Sequence, residues 1–226
     1  MKKMPSSSDV IIMPPQENNR IPHYKMTVPV NFNHFYIIDE IGEPDSFLDL
    51  IHTLKTAEEH DTIFIHLNTP GGNLFTTIQI ISAIRQCSGN VVTCLEGEVC
   101  SAGTMLFLSG HKYVVNPNCS FMIHTYSSWF GGKGSDLSAR MRHFEEYFKK
   151  VAYDIYSDFL TDQEIASMLE GKDYWMDSDE ILHRLQDSEH AESVNDVAKE
   201  TIDHAKNGSS DPTTEIIPKK KKAKTE

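Results

Sequence analysis

Nowhere in these 226 residues does an apolar run approach the roughly 20 residues that cross a bilayer. The opening Met1-Lys2-Lys3-Met4-Pro5-Ser6-Ser7-Ser8 also lacks the apolar centre of a secretory signal, so the sequence reads as cytoplasmic, without membrane contact. Cysteine is scarce. Cys87, Cys94, Cys100 and Cys119 sit in apolar contexts with no C-x-x-C pair, which argues against a zinc site or a disulfide framework. No internal repeat is present, and no G-x-x-x-x-G-K-[ST] loop that would grip a nucleotide phosphate. Positive charge is in deficit, with 21 Lys and Arg against 33 Asp and Glu. Residues 207–226 hold five Lys against Asp211, Glu215 and Glu226, so residues 1–206 carry 16 basic and 30 acidic groups, a balance of −14. An acidic body of that kind excludes nucleic acid as the main ligand.

What is present is an alternation of strand and helix signals between polar ends. Residues 1–24 contain Ser6-Ser7-Ser8 and Pro14-Pro15 without a sustained period and read as a flexible arm; residues 205–226 read as a disordered Lys-rich tail. Between them, 25–204 read as one folded domain. Phe35–Ile38, Thr62–Leu67, Val91–Leu95, Tyr113–Val115 and Phe121–Ile123 are β-branched or aromatic runs of strand length, and Leu74–Ile84 and Ala102–Leu108 read as helices. Strands separated by helices at this spacing form βαβ units around a largely parallel sheet, an α/β class. Farther on, Leu137, Met141, Phe144, Phe148, Val151 and Ile155 trace a stripe along a long charged helix ending near Leu160, which projects from the body or packs on a partner. Thr161-Asp162-Gln163-Glu164 is a capping box, and Asp177 or Ser178 is placed to cap a last helix, Asp179–Leu185.

Four segments carry chemistry. Pro70-Gly71-Gly72 lies between a buried strand and a helix. Paired glycines there bring backbone amides close to a ligand, as half of an oxyanion hole would, or simply make a tight turn. Gly97-Glu98-Val99-Cys100-Ser101-Ala102-Gly103 again joins a strand end to a helix. Small neighbours let a carbonyl reach the Ser101 hydroxyl with the Ala102 amide beside it, although the residue also reads as a plain N-cap. Cys100 is the weaker nucleophile, because Val99 and Glu98 should raise its pKa. His124 follows the apolar strand Phe121–Ile123 and is, of 11 histidines, the one best placed at a strand end; it equally suits a satisfied core residue. His52, His60, His111, His143 and His183 read as solvated. Asp173, beside Tyr174-Trp175, is a carboxylate placed to be partly desolvated and to orient an imidazole.

Taken in order, Asn68-Thr69-Pro70-Gly71-Gly72, the serine among small residues, Met122-Ile123-His124 and Asp173-Tyr174-Trp175-Met176 resemble the Clp protease proteolytic subunit family over about residues 33–190. The family reads Asn-Ser-Pro-Gly-Gly, Ala-Ser-Met-Gly, Met-Ile-His-Gln-Pro and Arg-Asp-x-Phe-Met at these places. The resemblance implies Ser101 as nucleophile, His124 as general base, Asp173 as third member, Gly72 and Ala102 as oxyanion amides, and Gly71, Gly131 and Gly132 as substrate contacts. It implies a crotonase-like βαβ spiral with a handle over about 128–170, heptameric rings that interlock around a chamber, unfolded protein or peptide as substrate, no cofactor or metal, and an AAA+ unfoldase as partner. Divergent members from phages add the alternative of a procapsid or scaffold maturation protease, and a catalytically silent ring subunit is a further alternative. Thr125-Tyr126 stands where the family has Gln-Pro, and Cys100 where it has a small alanine.

Overall fold

Ile63, Ile65, Leu67 and Thr69 alternate with less buried neighbours along a strand (β2, Thr62–Thr69), so one face enters the core and the other carries Phe64 and His66. The computed structural model describes residues 30–128, 131–187 and 215–218. The arm expected over 1–24 and the lysine run Lys219 to Lys222 lie outside them.

β2 pairs in parallel with β1 (Phe32–Ile37) on one side and β3 (Asn90–Cys100) on the other, and β3 pairs in parallel with β4 (Lys112–Val115). Each link between neighbours passes through a helix: α1 (Leu48–Thr56) after a 3-10 turn, α2 (Leu74–Gln86) and α3 (Ala102–Phe107). This is the expected α/β arrangement of parallel crossovers. Leu50, Ile51 and Leu54 of α1, Ile80, Ile81 and Ile84 of α2, and Leu106 and Phe107 of α3 bury against the sheet. Asn73 starts α2 by accepting from the Phe75 and Thr76 amides at 3.0 and 3.1 Å, a cap worth about 1 kcal/mol.

β3 is longer than its apolar core Val91–Leu95 suggests, because it continues through Glu96 and Gly97 to Cys100. Its first half pairs with β4; its second half, Glu98–Cys100, pairs in parallel with β5 (Ser120–Ile123). Gly97 at φ 85° marks the handover, and the Asn68 side chain bridges it by accepting from the Glu98 amide at 3.0 Å. β5 pairs antiparallel with β6 (Tyr174–Asp177).

The long helix is α4 (Gly134–Tyr156). Phe148, Ala152, Ile155 and Tyr156 bury its second half in the body, whereas its first turns stay open, with Met141 45% exposed. The chain turns before α5 (Asp162–Leu169), whose capping box forms as expected: Glu164 N–H donates to the Thr161 hydroxyl and Thr161 N–H to the Glu164 carboxylate. Asp177, rather than Ser178, caps α6 (Ser178–Asp187) by accepting from the Glu180 amide at 2.9 Å. Ser178 instead ties loop to sheet, donating to the Asn116 carbonyl and accepting from the Cys119 amide.

One expectation changes. Within the stretch read as a disordered tail, Glu215–Pro218 forms a strand (β7) antiparallel to β4, the β-branched pair Ile216-Ile217 meeting an otherwise open sheet edge.

Candidate active site

β3 passes into α3 at Ser101, whose backbone takes φ 55° and ψ −125°, a region that residues with a Cβ rarely occupy. The surroundings hold it there. Its N–H donates to the Met122 carbonyl at 2.9 Å, and its carbonyl accepts from both the amide and the hydroxyl of Thr104, at 2.9 and 2.6 Å. Ser101 occupies the N-cap position of α3, but its hydroxyl makes no cap bond to the helix.

Gly71 and Gly72 turn β2 into α2 at φ 99° and 141°. A Cβ on Gly71 would stand 2.7 Å from the Cys100 carbonyl oxygen and 2.8 Å from the Ser101 Cβ; one on Gly72 would collide with the Ile41 backbone, 2.8 Å from its nitrogen. Both must be glycine, and the close approach brings the turn against Ser101 and Ala102. The Gly71 amide is taken, donating to the Thr69 hydroxyl at 3.1 Å, and its carbonyl accepts from Ile41. Among the described residues the Gly72 amide, on the exposed side of the turn, and the Ala102 amide, at the first position of α3, have no acceptor.

Register brings the other candidates to the same end. Met122 lies opposite Cys100, and His124 follows two residues later; Tyr174 lies opposite Ile123, with Asp173 directly before it. Ser101 and His124 thus sit one residue after β3 and β5, and Asp173 one residue before β6, which runs antiparallel to β5 and so starts at the same end of the sheet. No side-chain hydrogen bond links the three in the isolated chain. His124 is half-buried, but Asp173 is exposed and Trp175 is 62% exposed, so the aromatic pair does not desolvate the carboxylate: among the described residues β6 is a short strand paired only with β5, and the residue before it faces water. Gly131 and Gly132 are exposed between His124 and α4.

Cys100 is buried at the end of β3. Burial and the Glu98 carboxylate push its thiol up to about 11, which removes the thiolate as a rival nucleophile. Beside His124, residues Thr125 to Ser128, Glu145, Phe148, Lys149 and Leu169 line a groove of about 670 Å³. Its apolar wall is built by Tyr126, which packs edge-on against Phe144 and Phe148 at centroid distances of 4.7 and 5.1 Å. Those contacts dock the segment after His124 onto α4.

Other histidines differ from expectation. His111 is structural, not solvated: its Nδ1 accepts from the Val91 amide and its Nε2 donates to the Ile84 carbonyl, both at 3.2 Å, because the turn before β4 folds it under α2. On the sheet face away from the helices, His34 Nδ1 and His66 Nε2 are 3.0 Å apart, and His66 Nδ1 is 2.6 Å from the Glu96 carboxylate. Among the described residues no cluster of His, Cys, Asp and Glu suits a metal ion, and no helix is long and apolar enough to cross a membrane.

The family model for Clp protease matches residues 37–184, which takes in β2 to β6 and all of the elements just described around Ser101. The chain belongs to the Clp protease family. Its fold is of the type that family has. It is 35% identical over 96 residues to the ATP-dependent Clp protease proteolytic subunit 3, chloroplastic, of Arabidopsis thaliana, a match covering 41% of this chain and 30% of that protein. Against the ATP-dependent Clp protease proteolytic subunit 2 of Tropheryma whipplei it is 25% identical over 133 residues, 57% of this chain and 73% of the relative. Against the ATP-dependent Clp protease proteolytic subunit of Streptococcus gordonii it is 29% identical over 135 residues, 57% of this chain and 68% of the relative. This is a divergent member.

Sequence reasoning passed over the supports of the site. Thr69 holds the turn by donating to the Asp39 carbonyl at 2.6 Å and accepting from Gly71, and Thr104 anchors the Ser101 carbonyl. Both threonines are fully buried inside apolar runs, and that misplaced polarity was the available signal.

Proposed function

We propose that this chain is a serine endopeptidase in which Ser101 attacks the peptide carbonyl, His124 takes and returns the proton, and Asp173 orients the imidazole. The observation that carries the reading is the strained Ser101 at the end of β3, whose hydroxyl makes no cap bond, packed against the Gly71-Gly72 turn where, among the described residues, the Gly72 and Ala102 amides have no acceptor. An oxygen that gains negative charge next to Ser101 would accept from those two amides, which are rigid and need no reorganisation as the charge forms. His124, one residue past β5, receives the hydroxyl proton and then gives it to the leaving amine. The imidazolium formed between those steps is stabilised by the Asp173 carboxylate, whose side of the ladder adjoins His124. The groove beside Tyr126 takes a substrate side chain, and Gly131 and Gly132 offer main-chain groups to an extended peptide. No cofactor enters this scheme.

The same reading makes the uncovered first half of α4 a contact between copies, in heptameric rings that enclose a chamber. Substrates would be unfolded or delivered proteins. The relatives are named for ATP dependence, and these residues carry no phosphate-gripping loop, so an AAA+ unfoldase would supply that step.

A second reading is a silent ring subunit, favoured by the absence of any hydrogen bond joining Ser101, His124 and Asp173 in the single chain. Labelling by a fluorophosphonate separates the two: the peptidase reacts, Ser101→Ala does not, and a wild-type chain that neither labels nor cleaves a fluorogenic peptide in its assembled state overturns the proposal.

A further inference from the structure

A connection of 27 residues separates β7 from the end of α6 in sequence, yet it pairs with β4 at four positions: Lys112 with Pro218, Tyr113 with Ile217, Val114 with Ile216 and Val115 with Glu215. β4 is paired with β3 on its other side, so among the described residues β7 alone covers its outer row of N–H and C=O groups. Without it that edge would be a template for any extended chain. The strand is also short, and Pro218 has no N–H to give to the ladder, which closes the pairing where the basic run from Lys219 begins. Such a strand is marginal by itself.

We propose that the outer edge of β4 is a strand-addition site for an extended aliphatic segment, and that the chain's own Glu215–Pro218 fills it in cis as a removable strand. The connection of 27 residues can reach about 90 Å when extended, so the tether does not force this position; pairing with the edge does. Main-chain pairing supplies attraction at such a site, and alternate side-chain positions supply selectivity. Here the register sets Ile216 opposite Val114, which belongs to the small apolar cluster of Val92 and Cys94 with Phe64 packed on it, and sets Ile217 opposite the buried Tyr113. The partner class is therefore a peptide with two adjacent β-branched residues closed by proline. The site is separate from the one around Ser101, because β4 pairs with the first half of β3 and the candidate active site stands at the end of the second. It holds whether or not the chain is a peptidase.

The test uses the full chain and a fluorescent peptide of residues 212–221. In Ile216→Pro/Ile217→Pro no ladder donor remains at the central positions, and the tail should leave the edge. The expected result is that the variant binds the peptide about tenfold more tightly than the wild-type chain, whose tethered strand competes at high effective concentration. Hydrogen exchange should show the Lys112–Val115 amides deprotected in the variant and protected again on adding peptide, with β2 unchanged as the control for folding. Equal affinity for both chains, or exchange of Lys112–Val115 that ignores both tail and peptide, overturns the proposal. So does equal binding of a control peptide with Ile216→Ser and Ile217→Ser, which would trace the attraction to its lysines and the acidic body.

Discussion

The Tyr156 hydroxyl stands 2.7 Å from the Thr104 hydroxyl in the core, and Thr104 in turn donates to the Ser101 carbonyl at 2.6 Å. With the Thr104 proton committed to Ser101, Tyr156 is the donor of the pair. The buried end of α4 is thereby tied to the backbone of the proposed nucleophile through one threonine.

Tyr156→Phe removes that donor without changing packing. A loss of about 1 kcal/mol in stability is expected, from one buried hydrogen bond. Thr104→Val also removes the hydroxyl bond to the Ser101 carbonyl, leaving only the Thr104 amide on it, and should lower kcat more than it raises KM, since the backbone at Ser101 loses one of its anchors. Denaturant unfolding and peptide hydrolysis measured on both variants check the two effects separately.

Ser101→Gly relieves the positive φ of 55° at this position. The expected outcome is a protein more stable than wild type by roughly 1 kcal/mol and devoid of peptide hydrolysis. Ser101→Ala should be equally inactive but gain no such stability. Thermal unfolding of the pair distinguishes backbone strain from loss of the hydroxyl.

Gly71→Ala drives a methyl group into the Cys100 carbonyl and the Ser101 Cβ. Activity should fall below detection, and stability by about 2 kcal/mol or more, because neither obstacle is a flexible side-chain end. Gly132→Ala is the contrast: its Cβ would meet only the Leu137 side chain at 4.0 Å, though at φ 147°, so a smaller loss of stability is expected on chemical denaturation.

The Arg184 guanidinium holds the Glu164 carboxyl at about 2, well below its ordinary 4.5, through hydrogen bonds of 2.9 and 3.1 Å that join α5 to α6. The lowered value in the folded state means that the stabilisation is fully present above about pH 4.5 and fades as pH falls toward 2. Arg184→Met should therefore be less stable than wild type at neutral pH, with the gap narrowing on acidification through that window. Urea midpoints of both proteins between pH 2 and about 7 test the sign.

Much of this architecture is written locally. The β-branched run at Thr62–Leu67, the paired glycines after it and the capping box at Thr161 each act within a few residues, so their outcome follows from sequence. Glu96-Gly97 looks like a strand end and is not, because the second half of β3 is held by β5 and by Asn68, partners far along the chain. The same holds for the exposure of Asp173, which depends on how few strands flank β6, and for the link from Tyr156 to Ser101, whose Thr104–Tyr156 bond spans 52 residues of separation. The burial of His111 likewise required knowledge of which helix would cover it.

Ser101 and His124 stand one residue after a strand and Asp173 one residue before the antiparallel β6, so the spacing among them is measured out by the sheet. In such a design, tolerance to insertions is sharply divided. Added residues in the turn before β5, at Pro117-Asn118, or in the segment ahead of α4 leave the measure intact, whereas a single residue inserted within Ser120–Ile123 shifts His124 by a full pleat and reverses its side of the sheet. Descendants of this chain are therefore free to lengthen their loops while the paired stretches of β3, β5 and β6 must keep their register to the residue.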